Sequence, residues 1–192
     1  MAELKGIQKR VTGVDIGAMT THDQVANSAE VRSAIAGLCE VAASIGDQHV
    51  RNRGTIGGSV ANNDPSADYP AALLALSATI ATNKREIGAD DFFKGLFSTA
   101  LGEGEIITRI SCPIPGKFAY VKFANPASRY ALVGVAVAKT GNAVRGAVTG
   151  AGSKGVFRHK AAETALAQDW SAQALANLAT SATDMMSDIH AD

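Results

Sequence analysis

The chain has little of what metal chemistry and hydrolysis usually require. Its 192 residues include 2 cysteines and 4 histidines. Cys39 and Cys112 form no CxxC or Cys/His spacing that would hold zinc or an iron–sulfur cluster, and both read as buried small hydrophobes. His22, His49, His159 and His190 are scattered, with no HExxH pair and no nucleophile elbow among them, so they read as surface or structural histidines. Neither sign of charge is in excess, because 18 Lys and Arg offset 18 Asp and Glu. With no Lys/Arg cluster, nothing favours nucleic acid or an anionic membrane as a partner. The longest apolar run, near residues 131–138, is far too short to span a bilayer. The polar start MAELKGIQKR lacks the apolar centre of a signal peptide, so a cytoplasmic location is expected. No internal repeat or low-complexity tract appears.

What is present is the composition of an ordinary globular protein, 46% hydrophobic and 19% charged, with length enough for one domain or two small ones. Its most informative stretch is residues 50–76, VRNRGTIGGSVANNDPSADYPAALLAL. Thr55 and Ile56 read as the end of an extended segment. Gly57-Gly58 then permits positive φ and a close approach to a ligand, and successive N–H groups in such a turn form a nest for phosphate oxygens. A Gly-Gly pair in this position is also, and more often, a plain tight turn. Residues 62–66 supply turn and capping chemistry, and residues 67–76 an apolar run of helical length, with Asp68 at its start able to accept hydrogen bonds from ligand hydroxyls. Arg51 and Arg53, on an extended segment, would share one face, either to neutralise phosphate or as structural donors.

LKGIQKR and VTGVDIG are two short extended pieces, and a Thr cap at residues 20–21 starts a short helix. Residues 28–43 have helical spacing broken at Gly37, which predicts two helices. Residues 78–82 form a strand, residues 90–93 a capped helical turn, and residues 105–110 a β-rich segment in which Ile106, Ile107 and Ile110 are core by default. CPIPG at residues 112–116 is the best boundary, dividing 1–113 from 114–192. Beyond it, residues 119–123 form a strand containing Lys122, by default a solvated edge residue. Residues 131–139 and 143–149 then form a hairpin about Thr140-Gly141-Asn142. The GAGSKG loop at residues 150–155 lacks the order of a phosphate loop and reads as a flexible turn. Residues 161–167 and 171–181 are alanine-rich helices around Trp170 that cover the small sheet.

RNRGTIGGSVANNDPSAD followed by PAALLAL resembles the second flavin-binding segment of the FAD subunit of molybdenum hydroxylases, the family of xanthine dehydrogenase and of the medium subunit of aerobic carbon monoxide dehydrogenase. The resemblance extends through IGAMTTHDQV, DDFFKGLFSTAL, KFANPASRYALVGVAVA and AVTGAG, and is closest to the carbon monoxide dehydrogenase type. It implies an α+β fold, with the second lobe of a PCMH-type FAD-binding domain followed by a small antiparallel sheet covered by helices. It also implies FAD as cofactor, with backbone N–H groups of Ile56, Gly57, Gly58 and Ser59 on the pyrophosphate and hydroxyl bonds from Thr55 and Ser59. Asp68 would bind ribityl or ribose hydroxyls, Ile107 would make an apolar contact to the flavin, and Lys122 would favour negative charge on the reduced ring. Ile45 and Gly46 would lie near the flavin, and Tyr130 beside the ring or in the core.

The implied partners are a molybdopterin-containing large subunit that oxidises the substrate and a small subunit with two [2Fe-2S] clusters. Electrons would pass one at a time to the flavin and on to an external acceptor. The family's first glycine-rich segment, an AGGxSL-like run, and a closing C-terminal segment are not found, so a chain shortened at both ends, with half of the pyrophosphate cradle, is expected. The alternative is a cofactor-free interaction module of the same complex; a phosphate-binding transferase using the Gly150 loop has little support.

Overall fold

A computed structural model describes residues 4–187. Strands β1 (Ile7–Lys9) and β2 (Gly13–Gly17) lead into helices α1 (His22–Ala26), α2 (Ala29–Ala43), α3 (Gln48–Arg53), α4 (Ile56–Asn62) and α5 (Asp68–Ala75). Strands β3 (Thr79–Thr82) and β4 (Glu86–Gly88), the turn α6 (Ala89–Phe92), the ribbon β5 (Phe93–Gly95) and β6 (Ser98–Thr99), and strand β7 (Ile107–Pro113) follow. The chain continues through β8 (Lys117–Ala124), β9 (Ala131–Thr140), β10 (Ala143–Thr149), β11 (Phe157–Arg158) and α7 (Lys160–Gln168). One antiparallel sheet has the order β1-β2-β7-β3-β4 and a second the order β11-β10-β9-β8.

The sequence rules act locally as expected at several points. Thr21 caps α1 with a reciprocal box, its hydroxyl accepting from the Gln24 amide while the Gln24 side chain accepts from the Thr21 amide. The hairpin between β9 and β10 turns at Gly141, where φ is +58°. Helix α2 breaks, but at Ile35 rather than Gly37. Gly37 serves a close approach instead: a Cβ there would lie 2.7 Å from the Phe118 ring of β8.

Helix α5 is buried along its whole length, as a helix apolar on every side beyond its first residue, Asp68, must be. It packs on β9 and β10, which present the small residues Ala136, Ala138 and Ala147 and let the helix come close. These alanines join Val14, Ile16 and Leu73 in one continuous core, so the change of sheet across residues 114–116 is not a break in packing.

Three expectations need correction. Residues 51–53 are helical, because the Asp47 carboxylate caps α3 by accepting from the Val50 amide, so Arg51 and Arg53 do not share an extended face. Gly57 and Gly58 have no positive φ; both lie inside α4, which Thr55 caps. Residues 171–181 do not form a second C-terminal α-helix; a 3-10 turn at Gln173–Leu175 stands there. That alanine-rich stretch buries no residue stripe, and a helix of such length has little stability without one. His190 lies outside the described residues.

Candidate functional site

The expected site residues fall into two groups, one at the start of α4 and one at the start of α5. The first group is the rim at the start of α4. Thr55 takes an extended conformation and its hydroxyl oxygen accepts from the Gly58 amide at 3.1 Å. The other amides also have internal acceptors: Ile56 donates to Thr20 O (3.0 Å), Gly57 to Ala18 O (2.9 Å) and Ser59 to Thr55 O (3.0 Å). A nest of free N–H groups is therefore not formed by residues 56–59, because the carbonyls of Thr20 and Ala18 accept from Ile56 and Gly57, and Thr55 accepts from Gly58 and Ser59.

The two glycines do different things. Gly57 is buried, and a Cβ there would sit 2.6 Å from the Ala18 Cβ, so its smallness serves packing. Gly58 is exposed, and the only atom near its added Cβ is the Thr55 hydroxyl oxygen at 3.0 Å. Thr55 and Ser59, both half-buried, flank it along the chain. Ile107 is tied to this rim through Ala18, whose amide donates to Thr108 O (3.0 Å). The Ile107 side chain itself is buried in the core.

The second group is a buried ion pair. Asp68 opens α5, and Lys122 of β8 places Nζ 3.1 Å from Asp68 Oδ1, with side-chain exposures of 4% and 7%. The ammonium also donates to Ser44 O (2.8 Å) and Arg129 O (2.9 Å), so each of its three protons has an acceptor. Lys122 is thus no solvated edge residue. Tyr120, two residues earlier and on the same face of β8, donates a short hydrogen bond to Asp68 Oδ1. Burial pushes the Asp68 carboxyl above its ordinary range, against the opposing pull of Tyr120 and Lys122. Burial and the Asp68 charge push the Tyr120 phenol up.

Sequence reasoning missed Tyr120, although the period of two in FAYVK put it on the face of Lys122. Arg51 resolves as a structural donor to Ile45 O (3.0 Å) and Gly46 O (2.9 Å). Tyr130 is exposed. Both cysteines are buried and unbonded to each other; burial raises the Cys112 thiol to about 12, which fits a packing role. Among the described residues no cluster of His, Cys, Asp and Glu could hold a metal ion, and no helix is long and apolar enough to cross a membrane.

Comparison with known proteins matches this architecture. Residues 1–115 fit the family described as the FAD binding domain in molybdopterin dehydrogenase. The chain is 40% identical over 142 residues to the glyceraldehyde dehydrogenase medium chain of Sulfolobus acidocaldarius, covering 71% of this chain and 50% of that one. It is 37% identical over 151 residues to the carbon monoxide dehydrogenase medium chain of Hydrogenophaga pseudoflava, covering 74% and 53%. The chain thus spans about half the length of these relatives. Among solved structures, a carbon monoxide dehydrogenase from Hydrogenophaga pseudoflava superposes with a TM-score of 0.83 at 34% identity, over 91% of this chain and 65% of that chain. Quinoline 2-oxidoreductase from Pseudomonas putida 86 superposes with a TM-score of 0.82 at 29% identity, over 100% and 72%. The chain belongs to the family of FAD-binding domains of molybdopterin dehydrogenases.

Proposed function

We infer that this chain binds FAD and serves as the flavin-bearing part of a molybdenum-containing hydroxylase or dehydrogenase of the carbon monoxide dehydrogenase type. The observation that carries the reading is the exposed Gly58 between the hydroxyls of Thr55 and Ser59, in a chain whose first 115 residues match an FAD-binding family. The rim contacts pyrophosphate through these hydroxyls and the bare Gly58 Cα, while the amides of Ile56 and Gly57 anchor it to residues 18–20. Asp68 keeps lone pairs free for a ribityl or ribose hydroxyl. Lys122 can exchange its contact with Arg129 O, in the exposed loop after β8, for the reduced ring. Ile107 supports the site from the core or through its backbone.

When bound, the flavin supplies the electron-accepting chemistry; the protein residues bind, orient and tune it. Residues 1–113 form the FAD-binding unit in this reading and residues 114–192 the second unit, the sheet changing at the Pro-rich link. The partners are a molybdopterin large subunit and a [2Fe-2S] small subunit that delivers electrons, in a cytoplasmic assembly, with an external acceptor receiving them. The test is titration of the chain with FAD, read by quenching of flavin fluorescence. Saturable binding that Gly58→Val weakens at least tenfold, a loss of about 1.4 kcal/mol or more, supports the reading. Absence of saturable binding supports the cofactor-free module.

A further inference from the structure

Residues 18–22 lie along residues 54–57 and hold them by backbone bonds from Ile56 to Thr20 O, from Gly57 to Ala18 O and from His22 to Gly54 O, all between 2.9 and 3.0 Å, with a β-bridge between Thr21 and Thr55. The His22 side chain does more than its backbone. It is 4% exposed, and a Cβ on Gly54 would lie 2.6 Å from its Nε2, so the ring is pressed directly against the segment that leads to the rim. Its other neighbour is Tyr69, fully buried, with ring centroids 5.5 Å apart. Tyr69 immediately follows Asp68 in the first turn of α5.

His22 Nδ1 and Tyr69 Oη are the two buried side-chain polar atoms without a hydrogen-bond partner among the described residues. With no hydrogen bond from either atom, what the two side chains supply here is ring contact, His22 against Gly54 and Tyr69 against His22.

We propose that His22 and Tyr69 are a positioning pair for the ligand site, fixing the spacing between the Thr55/Ser59 rim and the Asp68 carboxylate. His22 props Gly54, Tyr69 backs His22, and the next residue along the chain from Tyr69 is Asp68 itself. The rim and the carboxylate are separated by α4 along the chain, but through these two rings they share one rigid support. This rests on the FAD reading for its ligand and not for its mechanics.

The test combines FAD titration with amide hydrogen exchange on the whole chain carrying His22→Ala, Tyr69→Ala or Tyr69→Phe, with far-UV circular dichroism to establish folding. In His22→Ala and Tyr69→Ala, exchange at Ile56 and Gly57 should quicken by about tenfold or more relative to the β2–β7 ladder, a local rather than a global opening. FAD affinity should fall in parallel. Tyr69→Phe, which keeps the ring, should leave both within about twofold. Unchanged exchange at Ile56 and Gly57, or acceleration equal to that of the ladder, overturns the proposal. If the parent chain binds no FAD, the cofactor reading fails while the exchange result still decides the positioning role. Normal exchange in Tyr69→Phe with lost FAD affinity would show that the phenol contacts the ligand and also overturns it.

Discussion

The Tyr120 phenol occupies the space that a Cβ on Gly134 would fill, across neighbouring strands β8 and β9. Gly134 is therefore the vacancy that lets Tyr120 reach Asp68. Gly134→Ala should destabilise the fold by about 1–3 kcal/mol, as overpacking does. The penalty should shrink in a Tyr120→Phe background, where the displaced oxygen is gone. A double-mutant cycle in urea measures the coupling, and strict additivity would count against a shared slot.

Asp68 and Lys122 form a buried pair whose members cannot be removed singly without cost. Asp68→Ala leaves a buried ammonium facing two carbonyls and should cost about 3–5 kcal/mol, seen as a lower urea midpoint. Lys122→Met should cost a similar amount in neutral solution, since it strands the carboxylate. Substituting both with apolar residues should cost less than the sum of the two. A cost under about 0.5 kcal/mol for either single change would mean that the pair is solvated.

The two rim glycines should separate stability from binding. Gly57→Ala pushes a methyl against Ala18 and should destabilise by about 1–3 kcal/mol. Gly58→Ala places a better helix former in α4 and touches only Thr55, so stability should be equal or higher by up to about 1 kcal/mol. FAD affinity should nevertheless fall in Gly58→Ala. Thermal melts and flavin titrations on both variants check the pattern, which a loss of stability in Gly58→Ala would contradict.

Burial, with the Arg51 charge added, lowers His22 from 6.5 to about 4. In the folded chain the imidazole stays neutral where the unfolded chain would be protonated. Its contribution is thus fully present above about pH 6.5 and is lost as pH falls towards 4, by at most about 2 kcal/mol after allowing for residual solvent screening. Asp68, whose carboxyl is raised, acts in the opposite sense, favouring the folded state as pH falls through its own range. Comparing urea midpoints of the parent chain and His22→Gln between pH 7 and 4.5 isolates the histidine. The difference between them should narrow on acidification, and a constant difference would refute the assignment.

Much of this was legible in the residues. Alternation and turn chemistry located β2, β8, β9 and β10, and the Thr cap at residues 20–21 marked α1, because these signals are local. The glycine rim was found but its mechanism was misread. GTIGGS looks the same whether Gly57 turns or packs, and what decides is Ala18, almost forty positions away. For Arg51 the structural-donor alternative holds, but the residues alone did not decide it, since its acceptors Ile45 O and Gly46 O are backbone atoms that no side-chain motif displays. The ion pair joined two residues separately expected at the site, but its closure by Ser44 O and Arg129 O depends on tertiary placement. The C-terminal alanine run failed as a helix because composition supplies propensity and not a surface to pack against.

The central claim is that Thr55, Gly58 and Ser59 form the contact for the cofactor's linked phosphates. Its most direct measurement is isothermal titration of FAD into the chain and into Thr55→Val/Ser59→Ala, with riboflavin, which has no phosphate, as the comparison ligand. The account predicts that the double substitution weakens FAD by about tenfold or more, about 1.4 kcal/mol, and leaves riboflavin binding unchanged. Equal loss for both ligands, or no loss for FAD, would contradict it.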